Sequence, residues 1–120
     1  MKAVLIVAHG SREAETKNTM EAITKMVEKR LPDTLISTAY MEFCHLNIEE
    51  ALDALSARGA DDIRVVPYFL FSGIHIREDI PAELEKYRQA HPEIKIFMGA
   101  TLGADERLAD ILADRVRDAL

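Results

Sequence analysis

The feature that most constrains the fold of this chain is a regular alternation of short β-rich apolar runs with longer segments of helical spacing. Ala3–Ala8 is a continuous run of small and branched apolar residues, which is typical of a strand covered on both faces. From about Glu13 to Leu31, apolar residues instead recur at helical spacing with charged residues between them. The same alternation returns three more times, which predicts the order βαβαβαβα.

This order predicts an α/β fold in which helices sandwich a four-stranded parallel sheet in three layers, joined by right-handed crossovers. The expected strand order is 2-1-3-4. Pro81 favours the first turn of a helix, and Gly59 is typical of a helix C-terminus. The later predicted strands are Leu35–Met41, Ile63–Val66 (with an extension to Phe71 left open) and Ile94–Met98; the later helices carry stripes at Ile48–Leu55, Leu84–Tyr87 and Leu108–Val116.

Composition narrows the class of protein. The 120 residues suffice for one domain but not comfortably for two, so we expect a single domain over residues 1–120. A net charge of -6 argues against a nucleic-acid or membrane-surface partner, since both require a basic face. The single cysteine excludes an intrachain disulfide and fits a reducing compartment. Because Ala3–Ala8 is too short for a signal-peptide core or a membrane span, we expect a cytoplasmic protein.

Two histidines follow the two strands at which the predicted strand order reverses. Ligands of open parallel sheets bind at this switch point, outside the carboxyl ends of the strands. His9-Gly10-Ser11-Arg12 follows the first strand, and Ser72-Gly73-Ile74-His75 follows the third. Each histidine alone has an ordinary structural explanation, as a core or helix-capping side chain. Gly10 favours a functional role for His9 over a structural one, because glycine permits a sharp turn or a close approach to a ligand.

The two histidines suggest a metal site or an acid–base site. Imidazole is a common ligand of divalent iron, cobalt, nickel and zinc, and it titrates near neutral pH. Glu42 is either a further oxygen ligand or proton acceptor, or a solvated loop carboxylate. Asp79 either orients the His75 ring or occupies the start of the next helix. Cys44-His45 supplies soft ligands, although adjacent residues of an extended segment point apart.

Other side chains near this edge suggest an anionic ligand. Arg12 and Arg77 each lie close to one of the histidines, and in an acidic protein such arginines favour a carboxylate or phosphate, with ordinary surface charge as the alternative. Ser11 is predicted to be the N-cap of the first helix. The aromatic residues of Tyr68–Phe71 are expected to be mostly core, with one of them available to stack on a flat ligand.

Three segments resemble the small class II chelatases. They are AHGSR at Ala8–Arg12, PYFLFSGIHIREDIP at Pro67–Pro81, and GATLGADERL at Gly99–Leu108. The resemblance covers nearly the whole chain in order, and its most specific part runs from Gly73 to Pro81. The family includes short CbiX-type sirohydrochlorin cobaltochelatases, siroheme ferrochelatases and archaeal nickel-inserting relatives.

The resemblance implies insertion of a divalent metal into sirohydrochlorin, a tetrapyrrole that carries many carboxylates. Cobalt is favoured, as in cobalamin biosynthesis, with iron or nickel as alternatives. The resemblance also implies that His9 and His75 are the metal-binding and catalytic pair, with Glu42 as an accessory catalytic group. Cys44–Asn47 departs from the apolar, proline-containing turn of many relatives. A chain of this length resembles one half of the long family members, which implies a homodimer. The remaining candidate binding residues are Ser11, Arg12, Ser72, Gly73 and Arg77.

Two other functions are compatible with parts of this pattern. A non-enzymatic metal or tetrapyrrole carrier would use the same histidines and arginines. A histidine phosphatase has an arginine before its nucleophilic histidine, and Ala8 takes that place here. No nucleotide is expected, since nothing matches a phosphate-binding glycine loop with its lysine.

Overall fold

The fold was obtained as a computed structural model, which describes residues 1–41 and 47–120. Glu42 and Cys44-His45 lie outside the described residues. Within these ranges the predicted order of elements is confirmed, and most boundaries differ from the prediction by one or two residues. The strands are β1 (Lys2–Ala8), β2 (Leu35–Tyr40), β3 (Asp62–Pro67) and β4 (Lys95–Met98); the helices are α1 (Ala14–Arg30), α2 (Ile48–Ala57), a π-helix (His75–Asp79), α3 (Ile80–Ala90) and α4 (Glu106–Ala119).

The four strands form one parallel sheet with the predicted order β2-β1-β3-β4. Ala3 of β1 pairs with Leu35 on one side and with Ile63 on the other. β1 therefore lies inside the sheet between two parallel neighbours, which explains its continuous apolar sequence. The reversal of strand order falls between β1 and β3, as expected.

The two faces of the sheet have separate cores. On one face, fully buried side chains of β1 and β3 pack against α2 and α3, which contribute Leu52 and Leu84 among others. On the other face, Met20 of α1 packs against Ile6 and Tyr40. The Thr24 and Thr38 hydroxyls are 3.0 Å apart and join α1 to β2. The predicted layers of helix on both faces are thus present for α1, α2 and α3.

The helix ends explain where several elements begin and stop. Asn47 Oδ1 accepts a hydrogen bond from the Glu50 amide at 2.9 Å, which caps α2. Gly59, just beyond that helix, has a φ of +98°, a conformation that side chains with a Cβ adopt at a cost. Pro81 lies in the first turn of α3, as predicted.

The prediction that Ser11 is the N-cap of α1 is wrong. The N-cap residue is Glu13, two positions later. The Ser11 hydroxyl instead accepts a hydrogen bond from the Glu13 amide at 3.1 Å and lies 2.5 Å from the Thr16 hydroxyl. Ser11 therefore closes the turn before the helix, because the chain needs two further residues to change direction after Gly10.

The last helix, α4, is placed differently from the other three. Among the described residues, no side chain of α4 is buried. The radius of gyration over Cα atoms is 15.3 Å, against about 14 Å for a compact domain of this length. The predicted sandwich is thus formed by α1 on one face and by α2 and α3 on the other, and α4 lies away from the sheet.

Candidate functional site

The site begins at the carboxyl edge of the sheet, where β1 ends between its two neighbours. The Met41 amide donates to the carbonyl oxygen of Ala8 at 3.0 Å, and the Tyr68 amide donates to that of Val7 at 2.7 Å. These hydrogen bonds keep β1 in register with β2 and β3 up to the carboxyl ends of the strands. His9 follows directly, so it lies at the predicted switch point with Tyr68 on one side.

The His9 side chain is exposed at this edge, although the residues on either side of it are buried. Its ring meets the edge of the Phe69 ring, with centroids 4.4 Å apart and an interplanar angle of 75°. Phe69 is itself buried, and its carbonyl oxygen accepts a hydrogen bond from the Leu102 amide at 2.9 Å. The imidazole thus rests against a fixed aromatic side chain while remaining accessible to a ligand.

Two cavities share His9 as a lining residue. The first, of about 370 Å³, lies towards the segment after β3, where Gly73 and Ile76 line it. The second, of about 510 Å³, lies towards the first turns of α1, where Glu13 and Thr16 line it. Tyr68 lines both cavities. His9 is therefore at the centre of an open surface depression rather than in a closed pocket.

The segment that contains His75 is a π-helix, His75–Asp79. The Gly73 carbonyl oxygen accepts hydrogen bonds from the Ile76 and Arg77 amides at 3.1 and 3.0 Å. A π-helical turn is rare and often occurs at functional sites. The His75 side chain lies outside the described part of the structure. Its backbone stands between Gly73 and Ile76, which both line a cavity with His9.

The predicted anion-binding residues are distributed over a wider area. Ser11 and Arg12 line a different groove, of about 520 Å³, between α1 and the edge strand β2. Ser72 and Arg77 are exposed on the segment after β3. The structure thus brings Gly73 to His9, and it separates Arg12 from both cavities that His9 lines.

Asp79 occupies the N-cap position of α3, as one of the two predictions for it states. The π-helix runs directly into α3 at this residue, and the Asp79 side chain makes no capping hydrogen bond there. The charge of Asp79 also affects Glu83, one turn later in α3. Burial of the Glu83 carboxyl, and secondly the charge of Asp79, raise the pKa of Glu83 above its ordinary value. Its alternative role, orienting the His75 ring, concerns a side chain outside the described residues.

Several lining residues were not singled out by the sequence. Thr16 and Thr19 line the second cavity because they lie three positions apart on α1, on the side that faces His9. Leu70 and Ile76 line the first cavity. The helical spacing was available in the sequence, but nothing in it indicated which face of the first turn of α1 borders the switch point.

Two features absent from the described residues bear on the class of site. Residues 1–41 and 47–120, without the His75 side chain, contain no group of three or more histidine, cysteine, aspartate or glutamate side chains that could hold a metal ion. Across the same part of the chain, no helix has the length and apolar character needed to cross a membrane.

Fold and site together define a parallel α/β protein with an exposed histidine at the switch point of a 2-1-3-4 sheet. The family model described as CbiX matches residues 3–119. The chain therefore belongs to the CbiX family, as the sequence resemblance predicted.

Individual relatives agree with this assignment. A Sulfurisphaera tokodaii protein named sirohydrochlorin cobaltochelatase is 34% identical, and the match covers 100% of this chain and 95% of that one. A Priestia megaterium protein named sirohydrochlorin ferrochelatase is 33% identical over 98% of this chain. The structure of the sirohydrochlorin chelatase SirB from Bacillus subtilis subspecies spizizenii in complex with cobalt superposes with a TM-score of 0.90, at 28% identity over 98% of this chain.

These relatives differ in length. The chain spans 44% of the Priestia megaterium ferrochelatase and 50% of the SirB chain, but nearly all of the Sulfurisphaera tokodaii protein. Some relatives are thus about twice as long as this chain, and others have its length.

Proposed function

We propose that this protein is a sirohydrochlorin chelatase that inserts a divalent metal, with Co²⁺ favoured, into the tetrapyrrole. The observation that carries the proposal is the exposed His9 imidazole at the switch point, in a cavity that also contains Gly73 and Ile76 on either side of position 75. The names of full-length relatives, among them the cobaltochelatase of the same size, support it.

The chemistry requires a group that holds the ion and a group that accepts protons. Insertion of M²⁺ into the free macrocycle releases two pyrrole protons, so atoms and charge balance when both protons reach solvent. In the proposal, His9 and His75 hold the incoming ion as neutral imidazoles. As the ion passes to the macrocycle, the imidazole nitrogens that it leaves accept the two pyrrole protons and release them to solvent, since imidazole titrates near neutral pH. Glu42 is proposed as an accessory proton acceptor.

The surface around His9 suits a large, flat, partly apolar substrate. Tyr68, Leu70, Phe71 and Ile76 surround the histidine with exposed or half-exposed apolar area, which favours contact with a tetrapyrrole ring. The macrocycle also carries carboxylates at its periphery. We propose that these carboxylates bind Ser72, Gly73 and Arg77 on the segment after β3, and that Ser11 and Arg12 bind carboxylates in the neighbouring groove along β2.

The setting of the reaction is part of the proposal. We propose that the active form is a homodimer, because the chain spans about half the length of SirB and of the Priestia megaterium ferrochelatase. We also propose a cytoplasmic location, which fits the single cysteine. Residues 1–120 are proposed to act as one domain.

The test follows the absorption change of sirohydrochlorin on metallation, with substrate in large excess and the uncatalysed rate subtracted. Wild type is expected to turn over many times with Co²⁺. His9→Ala and His75→Ala are each expected to lower the rate by about 100-fold or more, in the range for loss of a general acid–base group. His91→Ala is the matched control, because His91 stacks on Tyr87 at the C-terminus of α3, away from the site.

Three outcomes would contradict the proposal. Unchanged rates in both His9→Ala and His75→Ala would overturn the assigned residues. Metallation that stops after one equivalent per chain would identify a carrier rather than an enzyme. Faster turnover with Fe²⁺ under anaerobic conditions would shift the metal to iron, which the Priestia megaterium relative named ferrochelatase makes the second candidate.

A further inference from the structure

Phe69 differs from its neighbours in the segment that follows β3. Tyr68, Leu70 and Phe71 are 37% to 78% exposed, whereas Phe69 is 9% exposed. The Phe69 ring nevertheless lies beside the His9 imidazole, with centroids 4.4 Å apart and planes at 75°. A ring that is so deeply buried offers little area to a flat substrate, so its contact with His9 calls for a different role.

The Phe69 side chain is anchored in the core. It belongs to the hydrophobic cluster that β1 and β3 share with α2 and α3. Ile76 is partly buried against the same cluster, and both side chains line the cavity of about 370 Å³ beside His9. Because side chains of a close-packed core occupy fixed rotamers, the position of the Phe69 ring is set by the core and not by the contents of the cavity.

The backbone of Phe69 is fixed as well. The preceding amide, that of Tyr68, donates to the Val7 carbonyl oxygen at 2.7 Å, and the Leu102 amide donates to the Phe69 carbonyl oxygen at 2.9 Å. Leu102 belongs to the third of the segments that resemble the chelatases, Gly99–Leu108. That segment therefore supports the site by holding Phe69 in place.

His9 lies where a side chain needs such support. It is exposed between two buried residues, Ala8 and Gly10, at the open edge of the sheet. An exposed side chain in water populates several rotamers, and only those that direct an imidazole nitrogen to the ion contribute to metal transfer. An aromatic contact of the kind between His9 and Phe69 favours one orientation over the others by about two- to twelvefold.

We propose that Phe69 is a positioning residue for metal transfer, because its ring holds the His9 imidazole in the orientation that the transfer requires. In this arrangement Phe69 touches neither the ion nor the macrocycle, and it acts only through His9. The catalytic part of this proposal rests on the proposed function, whereas the ordering of the His9 ring by Phe69 does not.

The first experiment measures the motion of the histidine rings by carbon-13 relaxation. The His9 ring of wild type is expected to have an order parameter near that of a rigid backbone, about 0.85, and to fall below about 0.6 in Phe69→Leu, which keeps an apolar side chain but removes the ring. Phe69→Tyr keeps the ring and is expected to keep the order. His91 stacks on Tyr87 and is the internal control, which should stay ordered in every variant.

Two results of this experiment would overturn the proposal. One is a His9 ring that is already mobile in wild type, and the other is a His9 ring that is equally ordered in wild type and in Phe69→Leu. The circular dichroism spectrum and the His91 signals report whether each variant is folded. Phe69→Met fills more of the volume of the ring and provides the same comparison if Phe69→Leu does not fold.

The second experiment follows the metallation of sirohydrochlorin by the same variants. Phe69→Leu is expected to lower kcat with Co²⁺ by about 3–10-fold and to leave KM for sirohydrochlorin within about twofold, since the orientation of the imidazole affects the transfer step and not the binding of the macrocycle. Phe69→Tyr should retain most of kcat. Ile63→Val removes buried volume from the same core near the amino end of β3, and as the matched control it is expected to retain kcat.

The possible outcomes separate this role from others. An equal fall in kcat for Ile63→Val and Phe69→Leu would show that lost packing lowers the rate, and a raised KM with unchanged kcat would assign Phe69 to macrocycle binding; either overturns the positioning role alone. A wild type with an ordered His9 ring that does not metallate sirohydrochlorin would overturn the chelatase proposal and the catalytic part of this one, and it would leave the ordering of His9 by Phe69 intact.

Discussion

At the residue scale, Tyr87 shows how one side chain joins two helices behind the site. Its hydroxyl donates to Asp53 Oδ1 at 2.7 Å, and its ring stacks on His91 with centroids 4.1 Å apart. Burial, together with the hydrogen bond to Asp53, raises the pKa of the Tyr87 phenol above its ordinary value, so the donor keeps its proton. α2 and α3 are thereby held together on the covered face of the sheet.

Tyr87→Phe is expected to lower the free energy of unfolding by about 1–2 kcal/mol, since it removes a partly buried hydrogen bond to a carboxylate. Urea denaturation at pH 7 measures the change. Tyr68→Phe removes a hydroxyl from an exposed tyrosine and is expected to change stability by less than about 0.5 kcal/mol. Equal losses in the two variants would contradict the structural role of the Tyr87 hydroxyl.

Glu83 provides a prediction about pH. Its pKa in the folded chain is raised above 4.5, so its stabilising contribution is present below pH 4.5 and is lost as the pH rises through the raised value. Glu83→Gln is therefore expected to unfold at higher urea than wild type at pH 7 and at the same urea concentration at pH 4. Solvent screening of this half-exposed group keeps the gain to a few tenths of a kcal/mol.

The same substitution at Glu85, on the same helix, is the control. Glu85 forms an ion pair with Arg88 at 2.9 Å, so Glu85→Gln is expected to leave stability at pH 7 unchanged or slightly lower. A decrease in stability for Glu83→Gln at pH 7 would show that its carboxylate is stabilising when ionised.

Some residues of the site could be predicted from the sequence, and others could not. His9 was predictable because its position depends only on where β1 ends and on the order of strands. Phe69 was predicted to be mostly core. Its contact with the His9 ring depends on the direction of the chain after β3, and the spacing of apolar residues does not predict that direction. Arg12 was predicted near His9 from sequence proximity, but the turn closed by Ser11 directs it towards the groove along β2.

At the element scale, α2 and α4 have similar caps in different surroundings. Asn47 caps α2, whose inner face is fully buried, and Asp105 Oδ1 accepts from the Arg107 amide at 2.9 Å to cap α4. The side chain and backbone of Arg107 also lower the pKa of Asp105. The same kind of cap should therefore contribute to global stability in α2 and to local helix formation in α4.

Asn47→Ala is expected to lower the free energy of unfolding by about 1 kcal/mol, whereas Asn47→Asp retains the cap and loses little. Asp105→Ala is expected to leave the urea midpoint nearly unchanged and to speed amide exchange in the first turn of α4, because no side chain of that helix is buried in the described chain. A clear fall in the urea midpoint for Asp105→Ala would mean that the packing of α4 contributes to global stability.

The elements themselves were largely predictable, because apolar spacing differs between a strand and a helix and does not depend on distant contacts. The π-helix before α3 was not predicted. Just before it, the Gly73 carbonyl accepts hydrogen bonds from the Ile76 and Arg77 amides, and the π-helix ends where Ile80 becomes fully buried. Its shape therefore depends on the position of α3 against the sheet. The spacing of residues in the sequence does not predict that position.

At the scale of the whole molecule, the proposed homodimer predicts that folding and association are coupled. The thermal midpoint of wild type should then rise with protein concentration, because dimerisation stabilises only the folded chain. Leu52→Ala, in the buried core of α2, should lower the midpoint at every concentration through a loss of about 2–5 kcal/mol. Calorimetry over a 100-fold range of concentration distinguishes these cases.

The strand order was predictable because a parallel sheet with right-handed crossovers leaves few topologies for four β–α units. The placement of α4 could not be predicted from the sequence. Its stripe in the sequence indicates that the helix needs an apolar surface, but the stripe is the same whether that surface belongs to its own chain or to another.

The position of β1 inside the sheet has a consequence for the way this chain folds during synthesis. Lys2 pairs with Asp62, so β1 has to wait for a neighbour 60 residues further along the chain. At about 5–20 residues per second this interval is roughly 3–12 seconds on the ribosome. Throughout that time β1 has at least one unpaired edge and a strongly apolar sequence. The nascent chain is therefore most prone to misfold or to bind a chaperone before β3 emerges, and that window closes only when its middle third has been translated.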